Sequence, residues 1–132
     1  MLGGSQSNRL PKNILIVDDN AVIRRTLRQT LESVTNWQCG EAVNGKDAIE
    51  KAQQLHPNLV VLDLSMPVMN GLQASRELKR LYPYLPLVMF TSFETAHLKR
   101  EAAEAGVSSI LSKSESIHNL ISTIQGLLEP AN

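Results

Sequence analysis

The sequence predicts an α/β domain in which a parallel sheet carries helices on both faces, built from five successive strand–helix units. Three observations predict it. Short runs of consecutive apolar residues, at 14–17, 59–62 and 87–90, read as strands buried on both faces. Between the strands lie stretches with apolar residues every three or four positions, the helical period. The two patterns alternate along the whole chain, which implies right-handed crossovers and a parallel sheet.

The first strand, 14–17, ends on Asp18 and Asp19. Asn20 then suits the N-cap of a helix whose apolar stripe is Ile23, Leu27, Leu31 and Val34, with Arg24, Arg25 and Arg28 on a solvated face and Asn36 closing it. Residues 37–43 make a weaker strand, with Trp37, Cys39 and Val43 on a period of two. Gly40 interrupts it and suits an edge position. Trp37 is expected to be partly exposed, and Cys39 to pack in the core. The Asn44-Gly45 turn leads into a helix over 46–55, with Ala48, Ile49, Ala52 and Leu55 as its apolar face and Pro57 after its end.

Leu59 to Leu62 form the third strand, which ends on Asp63 and runs into a loop containing Met66, Pro67, Val68, Met69 and Asn70. From Gly71 a third helix carries Leu72, Ser75, Leu78 and Leu81. Pro83 and Pro86 bracket the next turn, and the strand 87–90 ends on Thr91 and Ser92. A helix over 94–105 is stopped by Gly106, and a short strand, 109–112, ends on Lys113. The last helix, 116–128, has a stripe of Ile117, Leu120, Ile121, Ile124, Leu127 and Leu128, with Pro130 ending it.

At 132 residues the chain fits one domain of ordinary size. Residues 1–11 read as a flexible lead-in, 12–129 as the folded unit and 130–132 as a tail. Thirteen basic and thirteen acidic residues give no net charge, so neither nucleic acid nor an anionic membrane is indicated as a partner. The single cysteine excludes an intrachain disulfide, and no apolar run approaches a membrane span. The N-terminal stretch lacks a signal-peptide core, so a soluble cytoplasmic domain is expected.

Asp18, Asp19, Asp63, Thr91 and Lys113 each follow the C-terminal end of a strand, and in a parallel sheet those ends share one edge. The chain has four aspartates, and three of them lie there. Three neighbouring carboxylates repel and call for a cation. An all-oxygen set favours Mg²⁺, Mn²⁺ or Ca²⁺, and Mg²⁺ keeps several waters and takes up a phosphate oxygen. A lysine and a hydroxyl facing the same point supply phosphate contacts. Aspartate is a nucleophile for phosphoryl groups, so the site suits transfer of a phosphoryl group to a carboxylate. The residues leave open which one; Asp63, single and central, is the stronger candidate, while the adjacent Asp18 and Asp19 suit metal binding.

These residues resemble the receiver domain of bacterial two-component response regulators, the CheY-like superfamily. The resemblance rests on Asp18-Asp19 after strand one, on Asp63 followed by Met66-Pro67-Val68-Met69-Asn70-Gly71, on Thr91 after strand four and on Lys113 after strand five, and it covers about 12–128. It implies a flavodoxin-like sheet of order 2-1-3-4-5. It implies Asp63 as phosphoacceptor, a histidine kinase or phosphotransfer protein as donor, and Mg²⁺ held by Asp18, Asp19, Asp63 and the main-chain carbonyl of Ser65. Thr91 would contact the phosphoryl group and switch position, and Lys113 would pair with it. The chain would be a conformational switch rather than an enzyme, apart from Mg²⁺-dependent self-phosphorylation and self-dephosphorylation, acting on an effector protein, an output domain or a second copy of itself.

Two positions depart from the family's pattern. Ile110 stands where an aromatic usually precedes the lysine by three residues, and Ser114 stands where proline usually follows it. Both favour an alternative in which the fold serves as a phosphorylation-independent interaction module; the complete acidic site argues against it. Ile110 either faces a partner surface or packs in the core. A phosphohydrolase of the haloacid-dehalogenase type would need an aspartate at Ser65, and a flavin phosphate would meet repulsion at Asp18 and Asp19. His56, His97 and His118 are expected at the surface, and Met66, Met69 and Met89 in packing.

Overall fold

The structure, a computed structural model, describes residues 10–92 and 95–129. Ten elements alternate along the chain: β1 (Asn13–Val17), α1 (Ala21–Val34), β2 (Gln38–Ala42), α2 (Gly45–Leu55), β3 (Leu59–Leu62), α3 (Gly71–Leu81), β4 (Leu87–Thr91), α4 (Ala96–Glu104), β5 (Ser109–Ser112) and α5 (Ile117–Leu128). All the strand pairs are parallel and the order is β2-β1-β3-β4-β5. This is the flavodoxin-like order, in which the chain steps outward from β1 first to one side and then to the other. Gly40 lies on an edge strand, as expected. Most of the predicted lead-in, the predicted helix start at Glu94, and Pro130 with the tail lie outside the described residues.

The pleat divides the core. Ile14, Ile16, Leu59, Val61, Val88 and Phe90 turn to one face, where Leu27 and Leu31 of α1 and Leu120 and Ile124 of α5 cover them. Leu15, Val17, Val60, Leu62 and Leu87 turn to the other, against Ala48 and Ala52 of α2 and Ala74 and Leu78 of α3. Met89 meets Leu98 and Ala102 of α4 on that same side. All four residues of β3 are buried, and full burial of each such side chain is worth about 1.5–3 kcal/mol.

Side-chain caps set the helix starts on the loops that matter here. The Asn20 side chain accepts from the Val22 and Ile23 N–H groups. Asn44 accepts from Asp47 N–H, and Asn70 and Gln73 form a reciprocal capping box at α3. Thr95 caps α4.

Four expectations are corrected. Trp37 is buried, packed with the α1–α5 face of the core. Val34, Leu55 and Leu81 are exposed rather than buried. Each is the last residue of its helix. Leu55 still has a role, since a Cβ on Gly40 would come within 2.6 Å of its Cδ1. Arg24 leaves the solvated face and turns inward, as described below. The final correction is that α1 ends at Val34, where Thr35 caps it through its N–H to the Leu31 carbonyl, before Asn36 is reached.

Candidate functional site

The parallel order brings the C-terminal ends of β1, β3, β4 and β5 to one edge. β1 and β3 are neighbours, with Val17 opposite Leu62, so the residues that follow, Asp18 and Asp63, emerge side by side. Both are buried. Lys113 Nζ donates to Asp18 Oδ2 at 2.7 Å and to Asp63 Oδ2 at 3.0 Å. Carboxylate oxygens of Asp18, Asp19 and Asp63 lie within 4.8 Å of one another. Asp19 is exposed and forms the open side of this cluster.

Each buried carboxylate is also held by backbone. Asp18 Oδ1 accepts from Asn20 N–H at 2.9 Å, and Asp63 Oδ1 accepts from Leu64 N–H at 2.7 Å. These bonds fix the side chains without using all their lone pairs. Burial pulls the Lys113 ammonium toward neutrality, but the hydrogen bonds it donates to Asp18 and Asp63, together with their negative charges, outweigh burial and hold its pKa above the ordinary lysine value. The ammonium therefore stays charged at neutral pH. Formal charge at the cluster is three carboxylates against one ammonium, a net of −2, which favours a divalent over a monovalent cation.

Thr91, the last residue of β4, is fully buried. Its carbonyl accepts from Lys113 N–H at 2.9 Å, so the strand end that carries the hydroxyl also sets the start of the lysine. Ser65 is exposed, two residues beyond Asp63. The structure thus joins Asp18, Asp63 and Lys113 by direct contact, adds Asp19 to the carboxylate group, and sets Thr91 and Ser65 on the adjoining strand end and loop. Ile110 is half-buried and packs with Leu64, Leu72 and Val107 around Met89, Leu98 and Ala102, which answers the open question in favour of packing.

Several contributors were not visible as site residues in the sequence. Gly71 N–H donates to Leu64 O at 2.8 Å, and a Cβ at Gly71 would collide with the Asp63 carbonyl oxygen. The glycine that opens α3 is therefore there to let the helix close on the strand end. Val68 has φ 69°, the left-handed region, at a β-branched and exposed residue. Arg24 donates from Nε to Glu41 Oε1 at 2.8 Å and from Nη1 to the Asp18 carbonyl at 2.7 Å. Its spacing of six from Asp18 gave no signal, because a helix repeats at 3.6.

A five-stranded parallel sheet with this acid-and-lysine edge has a family counterpart. The model of the response regulator receiver domain matches residues 14–125, and the chain belongs to that family. It is a receiver domain of two-component signal transduction. Chemotaxis protein CheY of Thermotoga maritima is 33% identical over 102 residues, which cover 77% of this chain and 85% of that protein. Protein-glutamate methylesterase/protein-glutamine glutaminase 1 of Methanosarcina acetivorans is 41% identical over 109 residues, 80% of this chain and 31% of that protein. The solved structure of Vibrio cholerae chemotaxis protein CheY4 superposes with a TM-score of 0.85 at 27% identity, covering 90% of this chain and all of that one. The chain thus spans about a third of the methylesterase it matches. Among the described residues no helix is long and apolar enough to cross a membrane.

Proposed function

We propose that Asp63 accepts a phosphoryl group from the phosphohistidine of a histidine kinase or phosphotransfer protein, and that the resulting aspartyl-phosphate shifts the domain between two conformations. The observation that carries this reading is Lys113 Nζ bridging Asp18 and Asp63 with a third carboxylate alongside. In the transfer, a carboxylate oxygen of Asp63 forms the bond to phosphorus as the donor's P–N bond breaks, and the imidazole nitrogen keeps that electron pair. Lys113 then has a phosphoryl oxygen to pair with, and the Thr91 hydroxyl supplies a hydrogen bond to another.

The donor set fits Mg²⁺: three carboxylates, all oxygen, with no histidine or cysteine among them. Asp18, Asp19, Asp63 and the Ser65 carbonyl would hold it. When bound, it offsets charge on the phosphoryl oxygens. The receiver unit is taken as residues 12–129, acting inside the cell on an effector protein, an attached output domain or a second copy, without touching nucleic acid itself. Ile110 occupies the place of the family's aromatic, so output on this reading runs through repacking of the α4–β5 side rather than rotation of a ring.

Incubation with a small phosphodonor such as acetyl phosphate and Mg²⁺ tests the assignment. One phosphoryl group per chain is expected, lost slowly by self-hydrolysis, with no label on Asp63→Asn and none when Mg²⁺ is chelated. Undiminished labelling of Asp63→Asn would remove Asp63 from the role.

A further inference from the structure

Arg24 stands apart from the other helix arginines. Its side chain is only 13% exposed, and its guanidinium is held at two points, Glu41 and the Asp18 carbonyl. The second contact answers a specific need. Asp18 N–H donates to the Ala42 carbonyl at 3.1 Å, the final rung between β1 and the end of β2. The Asp18 carbonyl points to the same side, but β2 stops at Ala42 and offers it no further rung. Arg24 supplies the missing donor by reaching back from α1. Glu41, the other anchor, is itself gripped by Arg28 Nη1 at 3.1 Å. A planar guanidinium fixed at both ends cannot rotate as a lysine ammonium can.

We propose that Arg24 is a positioning residue for cation binding: its clamp on the Asp18 main chain fixes the orientation in which Asp18 and Asp19 present their carboxylates. Asp19 is exposed, so its reach into the cluster is set by the backbone on either side of it. Without the clamp, mutual repulsion of three carboxylates favours swinging Asp19 outward and opening the set. The inference rests on the phosphoryl-transfer reading of the site.

The test is calorimetric titration of the full chain with Mg²⁺ alone, for the wild type, Arg24→Ala, Arg24→Lys and Arg28→Ala. Loss of groups that orient metal ligands typically weakens binding about 10–100-fold, so Arg24→Ala is expected to bind at least about tenfold more weakly. Arg24→Lys keeps the charge but lacks the fork, and it too is expected to bind several-fold more weakly; it decides the matter if the alanine variant does not fold. Arg28→Ala loses a bond to the same Glu41 without touching Asp18, and its affinity is expected to stay within about twofold. Phosphodonor labelling of Arg24→Lys is expected to return to near the wild-type rate once Mg²⁺ is saturating. Wild-type affinity in both Arg24 variants would overturn the inference, as would an equal loss in Arg28→Ala or a labelling defect that saturating Mg²⁺ does not restore. If the wild type binds no divalent cation, the phosphoryl-transfer reading fails and this inference with it; if the wild type binds and the Arg24 variants match it, only this inference fails.

Discussion

Val68 holds a backbone conformation that costs a β-branched residue about 1–2 kcal/mol, yet the residue is 77% exposed and returns little packing. The loop between Asp63 and Gly71 imposes that conformation. Gly71 must approach the Asp63 carbonyl, the Asn70–Gln73 box fixes the helix entry, and the residues between have to turn tightly. Asparagine tolerates the left-handed region far better than valine. Val68→Asn is therefore expected to raise the melting temperature by about 3–5 °C, the equivalent of roughly 1 kcal/mol in a domain of this size; a melt at or below the wild-type temperature would show that Val68 makes a compensating contact. Cys39 is a contrasting case. Burial and then the nearby Glu32 charge push its thiol up to about 12, so it stays protonated and behaves as a small apolar side chain.

At the scale of elements, β2 shows how an edge strand is finished. Residues 39, 41 and 43 turn their backbone groups away from β1, where no neighbouring strand receives them. Side chains take that place. Glu32 Oε2 accepts from Cys39 N–H at 2.9 Å, Lys51 Nζ donates to the Glu41 carbonyl at 3.2 Å, and Asp47 Oδ2 accepts from Val43 N–H at 3.0 Å. An edge so occupied is a poor template for a second chain. Glu32→Ala leaves the Cys39 N–H without its carboxylate, which is expected to lower stability by about 1–3 kcal/mol, read as a lower urea midpoint; an unchanged midpoint would mean that water replaces the carboxylate without loss. The same strand marks the limits of what the sequence discloses. The strands β1, β3 and β4 were legible because a four-residue apolar run has one economical fate, burial on both faces. β2, with a glycine and a glutamate inside it, shows only a weak period of two, and its pairing with Arg24, Lys51 and Glu32 depends on partners 7 to 17 positions away. Val34, Leu55 and Leu81 depart from expectation because periodicity assigns a helix face without saying how far neighbouring elements cover each position on it. The site residues were legible as a set, since each follows a strand, but strand order came from family likeness and not from the alternation itself.

Across the whole molecule, opposite charges are balanced in number, and two networks tie them to pH. Burial raises the Glu41 carboxyl, but hydrogen bonds from Arg28 and Arg24 more than reverse it and leave its pKa below the ordinary value of 4.5. A group depressed on folding contributes stability above its unfolded value and loses it as pH falls through the folded one. Lys113 is shifted upward from 10.5, so its contribution is intact below that value and is lost as pH rises through the folded one. Urea midpoints are thus expected to be flat across neutrality, with an acid limb and an alkaline limb. The gap between wild type and Glu41→Gln is expected to be full near pH 7 and to close as pH drops below about 4.5; a gap that persists undiminished to pH 3 would rule out Glu41 as its source. The bridge made by Lys113 has a temporal side as well. It joins positions separated by 50 and 95 residues of sequence, so the first carboxylates are synthesised long before their counter-ion. A chain four strand–helix units long carries all three carboxylates of this cluster but not the ammonium that bridges two of them. The ammonium arrives with the final unit, and only then is one of the cluster's three negative charges offset.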